Sequence, residues 1–347
     1  ASQTLVRKSR RDSLRKSAEL EVERVRVQYD ARKAEVERDA RTAWIDAAAA
    51  ENQITATREI LRVLQSVTDA SRIQYEAGAV PQTDLIRATL EQRNVDHQIL
   101  VLRRQRNAAV ARLLPLLQLP QGTPVPGFSL PQAMERPHGD GIDATLPDST
   151  AALAELQSEV ARAEEDLNLA KLATKPDINL EATYGVRPRD VDMFAVVARI
   201  ELPVRRSTLI APRIREAILR RDAGLQQIEA MRLQLRQDLG TALVLRNEAI
   251  EQINFHLDHF VPIAKLGFES ALVSYQNGKT SLDSVLGTLR TYISLNVDYY
   301  DYLRQQMAAE ADIDAIRHGA RSGGASAMTA APATSMPAAS ASGTRMK

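Results

Sequence analysis

From Asp12 to Gln74 the chain contains neither proline nor glycine, and apolar residues return through that stretch at helical spacing: Leu20, Val25, Val36, Ala40, Ala43, Ala47, Ile54, Leu61 and Leu64. One unbroken helix of about 65 residues would extend on the order of 100 Å, far beyond the span of a globular helix. The composition agrees, since aromatic residues make up only 4% of the 347 residues and charged residues 26%, which suits long helices better than compact cores. Ala47 to Ala50 form a small-residue patch that permits close approach of a neighbouring helix.

The breakers divide the rest. Gly78 supplies a permissive helix terminus and Pro81 suits the first turn of the next helix, which carries on to about Leu114. Seven prolines and four glycines between Pro115 and Pro147 exclude regular structure there. Asp148 is a good N-cap for a helix ending near Ala173. A second long helix is predicted from Thr208 to Ser274, with a stripe of Ile214, Ile218, Leu225, Ile228, Leu235, Leu239 and Ala242, bent near its end by Pro262. Thr280-Ser281-Leu282-Asp283 reads as a capping box opening a last helix to about Arg317, and Gly319 to Lys347 is a low-complexity tail predicted to be disordered.

One element occurs twice. Tyr75-Glu76-Ala77-Gly78, followed by Asp84-Leu85-Ile86, returns 200 residues later as Tyr275-Gln276-Asn277-Gly278, followed by Ser284-Val285-Leu286. Each copy joins two helices and marks the tip of an antiparallel hairpin, so the chain reads as two tandem structural repeats. The predicted organisation is a first-repeat hairpin over 1–118 with its tip at 75–84, a connector over 119–147, a helix over 148–176, a β-hairpin over 177–204, a second-repeat hairpin over 205–318 with its tip at 275–284, and the tail over 319–347.

Between the repeats the period changes to two. Ile178, Leu180, Ala182, Tyr184 and Val186 alternate with Asn179, Glu181, Thr183 and Gly185; after a polar link, Phe194, Val196, Ala198, Ile200 and Leu202 alternate with Val197, Arg199 and Glu201. This predicts two strands of about ten residues. Two placements fit: an amphipathic pair covering a soluble core, or tilted transmembrane barrel strands. No soluble core is apparent elsewhere for the apolar face to cover, which favours the barrel.

Net charge is +1 with both signs interspersed, so no broad basic field points to nucleic acid. The absence of cysteine removes disulfides, thiolate zinc sites and cysteine nucleophiles. No window approaches the roughly 20 apolar residues of a membrane-spanning helix. Ala1 to Lys16 is basic without an apolar signal core, which leads to the expectation of a removed leader or of a chain beginning partway into a longer product. No phosphate loop, nucleophile elbow or carboxylate pair with a plausible base appears, so neither an enzyme nor a cofactor is expected.

The order of long helix, Tyr-x-x-Gly turn, helix, connector, helix, β-hairpin, long helix, Tyr-x-x-Gly turn and helix resembles the TolC-like outer-membrane efflux protein family. Ala173-Thr174-Lys175-Pro176-Asp177-Ile178-Asn179-Leu180 looks like the start of that family's second β-hairpin, Ile200-Glu201-Leu202-Pro203 like its exit, and Phe260-Val261-Pro262 like the approach to the second tip. The resemblance covers about residues 10 to 318. It implies a mainly α fold with a small β part: long helical hairpins forming a periplasmic tunnel, and strands given to one barrel shared by a homotrimer. It implies the outer membrane of a Gram-negative bacterium, a periplasmic adaptor and an inner-membrane pump as partners, and passive export of metal cations or small-molecule drugs. The exit wording resembles the heavy-metal efflux subgroup. The family carries four strands per protomer where two are read here, so the N-terminal part of the first repeat is expected to be missing. The rival reading is a soluble periplasmic coiled-coil adaptor or structural interaction protein.

Carried onto this sequence, the resemblance makes Ala77, Gly78, Ala79, Asn277, Gly278 and Lys279 the adaptor contacts, and Asp84 and Tyr275 a latch between tips. Thr280 stands where the family places a basic residue, and Ser284 and Gly287 where it places acids. Asp283 is better explained by the capping box. Ile178, Leu180, Tyr184, Phe194, Val196 and Ile200 are the lipid-facing candidates. His256 and His259, three apart on a helix, are the only pair placed to share a metal ion, and with no third ligand evident no metal is assigned. Tyr299, Tyr300 and Tyr302 fit helix packing or a tunnel wall.

Overall fold

A computed structural model describes residues 2–5, 8–125, 127–128, 130, 150–175, 178–185, 193–200 and 206–318, without the side chains of 2–5, 178–180, 185, 199–200 and 206–207. The breaker-free stretch forms one helix, α1 (Lys8–Glu76), which turns back through α2 (Gln82–Leu116). After the connector come α3 (Ala151–Leu172), whose N-cap is Thr150, its hydroxyl accepting from the Leu153 N–H at 3.4 Å, in place of the expected Asp148, which lies outside the described residues, then strands β2 (Ile178–Gly185) and β3 (Met193–Ile200). A π-turn (Arg206–Ile210) leads into α4 (Ala211–Phe255), and a second (His256–Phe260) joins α4 to α5 (Val261–Gln276), which turns back through α6 (Leu282–His318). The predicted tail and most of the predicted connector lie outside the described residues.

Three further sequence expectations change. A third strand, β1 (Ser2–Leu5), pairs antiparallel with β2 to give a sheet ordered β1-β2-β3, so the chain supplies three described strands and not two. Four residues are too few to show alternation; only pairing with distant β2 defines the strand. The second long helix is not α-helical throughout: before Pro262 it widens, still helical, into a π-turn, because proline lacks an N–H and its ring crowds the carbonyl four residues back, and the wider turn accommodates both. Asp283 does not close a capping box; its carboxylate accepts from Arg87 on α2.

The helices bury apolar side chains in layers. At the tips Leu64 and Val67 of α1, Val95 of α2, Phe268 of α5 and Leu286 and Leu289 of α6 share one cluster. Midway, Ala43 and Ala47 to Ala49 meet Ala109, Leu113, Ile253, Tyr299 and Leu303; the alanine patch does allow the close approach read from it. Toward the sheet, Leu153 and Val160 of α3 pack on Leu235 and Leu239 of α4 and Ile313 of α6. α3 runs antiparallel to the first half of α1, tied by Lys16 to Glu165 at 2.7 Å and Gln28 to Glu155 at 2.5 Å. Not every stripe residue is covered: Val25 and Leu225 remain exposed in the single chain.

Candidate functional site

The two tips have the same backbone. Gly78 and Gly278 take left-handed φ values of +73° and +69°. The Gly78 N–H donates to Tyr75 O at 2.9 Å and the Ala79 N–H to Gln74 O at 2.8 Å; the Gly278 N–H donates to Tyr275 O at 2.9 Å and the Lys279 N–H to Ser274 O at 2.8 Å. This paired bonding at a left-handed residue is how a helix end satisfies its last carbonyls, and glycine adopts it without strain. A side chain added at either glycine would meet nothing within 4 Å. Ala77, Gly78, Ala79, Asn277, Gly278 and Lys279 are all exposed.

Side chains are not equivalent at the tips. Tyr75 is 39% exposed, Tyr275 only 6%. The Tyr275 hydroxyl lies 3.2 Å from Ser71 Oγ on α1, and Ser71 donates its own proton to Val67 O at 3.0 Å, so Tyr275 is the donor of the pair. Asp84, half-buried, makes no side-chain hydrogen bond among the described residues, so none joins it to Tyr275 within the chain. The links between hairpins that sequence reasoning missed are charged. Arg290 Nε and Nη2 donate to the two oxygens of buried Glu91 at 2.9 and 2.6 Å, and Arg87 pairs with Asp283. The hydrogen bonds to Glu91 raise the Arg290 pKa above its ordinary value, against the smaller pull of burial. Nothing at the separation of 199 residues marks Glu91 and Arg290 as partners in the sequence.

At the sheet, the register pairs Tyr184 with Phe194, Ala182 with Val196, Leu180 with Ala198 and Ile178 with Ile200. All six lipid-facing candidates therefore occupy one face of the sheet, opposite the face holding Asn179, Glu181, Thr183 and Arg199. The side chains of Ile178, Leu180 and Ile200 lie outside the described residues; Tyr184, Phe194 and Val196 are exposed, Phe194 by 69%.

His256 and His259 do not converge. In the π-turn His256 is buried, with Nδ1 2.8 Å from Gln252 O and its ring against Phe260 and Tyr302, whereas His259 is exposed and rests on Phe255. Tyr299 is buried in the midway layer, which pushes its pKa up to about 12.

No protein-family model matches the chain, and no curated protein does. Solved structures match it over most of its length. The CmeC outer-membrane channel of Campylobacter jejuni shares 15% identity at a TM-score of 0.75, with 92% of this chain and 70% of that chain covered. The outer-membrane protein VceC of Vibrio cholerae shares 14% at 0.79, covering 92% and 78%. The MtrE outer-membrane channel of Neisseria gonorrhoeae, in its open state, shares 17% at 0.74, covering 92% and 74%. The class these matches define is one of fold: the chain has the fold of these outer-membrane channels.

Proposed function

We propose that the chain is the outer-membrane exit duct of a tripartite efflux system in a Gram-negative bacterium, working as a homotrimer without a catalytic step. The observation that carries this reading is the sheet. Its two eight-residue strands run about 26 Å, which at the tilt of about 35–45° of outer-membrane barrel strands spans roughly 20 Å of their roughly 25 Å apolar band, and all the candidate apolar positions fall on one face. The fold shared with solved channels supports it. The two repeats give their hairpins to a periplasmic tunnel and their strands to a shared barrel.

The exposed tips at Gly78 and Gly278 receive the periplasmic adaptor, which couples the duct to an inner-membrane pump. Metal cations are the first cargo class and small-molecule drugs the second. Asp84 serves the closed state as a link from one copy to the next, where a latch with Tyr275 requires that tyrosine to exchange its Ser71 partner.

Spin labels test the reading in the full protein reconstituted in bilayers. Labels at Tyr184, Phe194 and Val196 should report lipid, and labels at Glu181 and Thr183 should report water. Water at both sets would remove the barrel and the duct with it.

A further inference from the structure

The net charge of +1 is not spread evenly along the molecule. Leu5 pairs with Ile178 and Ile178 with Ile200, so all three strands join helices at one end of the sheet: β1 leads to α1, α3 leads to β2, and β3 leads through the π-turn to α4. The helical segments nearest that end are basic. Residues 8–16 hold Lys8, Arg10, Arg11, Arg15 and Lys16 against one acid, Asp12. Residues 167–175 add Lys171 and Lys175, and residues 208–215 add Arg213 and Arg215, with no acid in either segment. These nine basic residues against one acid leave a surplus of eight charges, so the remainder of the chain sums to −7. Acids resume beyond the three segments, at Glu19, Glu164 to Asp166, and Glu216.

All nine basic side chains are exposed. Arg15 reaches Glu19 at 3.4 Å and Lys16 reaches Glu165. Among the described residues, Lys8, Arg11, Lys171, Lys175, Arg213 and Arg215 make no ion pair. At α1, Lys8, Arg10 and Arg11 also sit in the first turn, where the backbone dipole disfavours positive charge and no acid offsets it. An external anionic surface would offset both the mutual repulsion and the dipole.

We propose that this collar docks on the anionic headgroups of the phospholipid leaflet from which the barrel emerges. The proposal rests on the exit-duct reading, since the strands must lie in a bilayer for the collar to meet its headgroups. The dimensions agree. Helical segments of eight or nine residues extend about 13 Å, within reach of a headgroup zone and a Debye length of about 8 Å. Each basic residue held near an anionic leaflet strengthens association about fivefold at low salt.

The test is flotation of the full protein with vesicles of phosphatidylcholine alone or containing about 30% phosphatidylglycerol, a composition chosen to give a negative surface potential. At about 0.1 M salt the anionic vesicles should bind at least about tenfold more tightly, and at about 1 M salt, where the Debye length falls to about 3 Å, the preference should vanish. The variant K8Q/R11Q/K171Q/R213Q/R215Q should lose the preference, while R62Q/R93Q/R103Q/R104Q/K265Q, remote from the sheet, should keep it. A preference that survives in the collar variant, or full competition by soluble glycerol phosphate, would overturn the leaflet as partner. Alkali-resistant insertion into phosphatidylcholine alone reports on the strands. Its absence overturns the duct reading and the collar with it, whereas insertion without a preference for the anionic lipid overturns the collar alone.

Discussion

Two tyrosines at equivalent places in the tip turns have different fates, and the difference lies in one hydroxyl. Tyr275 donates to Ser71 Oγ, whose own proton is committed to Val67 O. Tyr275→Phe removes a donor and leaves Ser71 bonded, a loss of about 0.5–1.5 kcal/mol, whereas Ser71→Ala leaves a buried phenol without an acceptor and costs about 1–3 kcal/mol. Hydrogen exchange at residues 71–79 and 273–279 should therefore show Ser71→Ala opening the tips more than Tyr275→Phe, with the double variant no worse than Ser71→Ala alone. Equal, additive effects would mean that the hydroxyl pair does not hold the tips. The turns themselves were legible, since Gly78 and Gly278 both require a left-handed residue where the sequence placed helix ends. Which tyrosine points inward was not, because that depends on Ser71 across the hairpin. The histidines show the same limit: three α-helical steps would leave His256 and His259 about 60° apart, and the π-turn before Pro262 sends one into the layer and the other to the surface.

At the scale of elements, freedom from breakers was sufficient to read α1, predicted from Asp12 to Gln74 and observed over Lys8–Glu76. How closely helices approach was less visible. Gly224 on α4 faces α3, where an added Cβ would stand 2.8 Å from Val160 Cγ2. Valine in a helix has essentially one rotamer, so it cannot swing away. Gly224→Ala gains about 1 kcal/mol of helix propensity but incurs an overpacking cost of about 1–3 kcal/mol, and the net expectation is a loss of up to about 2 kcal/mol. Val160→Ala makes room, so the double variant should lose less than the sum of the two single ones. Thermal unfolding of all three variants measures the coupling; strict additivity would show that α3 yields freely. Gly224 has no neighbour in the sequence to suggest this contact, just as β1 has no alternation to suggest its pairing.

On the scale of the whole molecule, the single chain leaves surfaces unpartnered. Among the described residues its sheet ends in two unpaired edges, β1 and β3, which in the proposed duct only a closed barrel would satisfy. The first half of α1 packs on α3 and, from about Ala34 onward, also on α6, where Arg41 pairs with Asp314, and it leaves Val22, Val25 and Tyr29 outward along one stripe, Val22 exposed by 71% and Tyr29 by 69%. Spacings of three and four residues are those of a helix face meeting another helix, and among the described residues none covers this stripe. In the proposed homotrimer the neighbouring copy covers this stripe. Fully burying a side chain of this kind contributes about 1.5–3 kcal/mol, repeated at three interfaces, so placing carboxylates there should separate the copies without unfolding α1. Val22→Glu/Tyr29→Glu is expected to retain helical circular dichroism, lose the trimer in crosslinking and sedimentation, and lower the thermal midpoint in a concentration-dependent way. A double variant that still sediments as a trimer with an unchanged midpoint would place this stripe against water and move the subunit contact elsewhere on the helices.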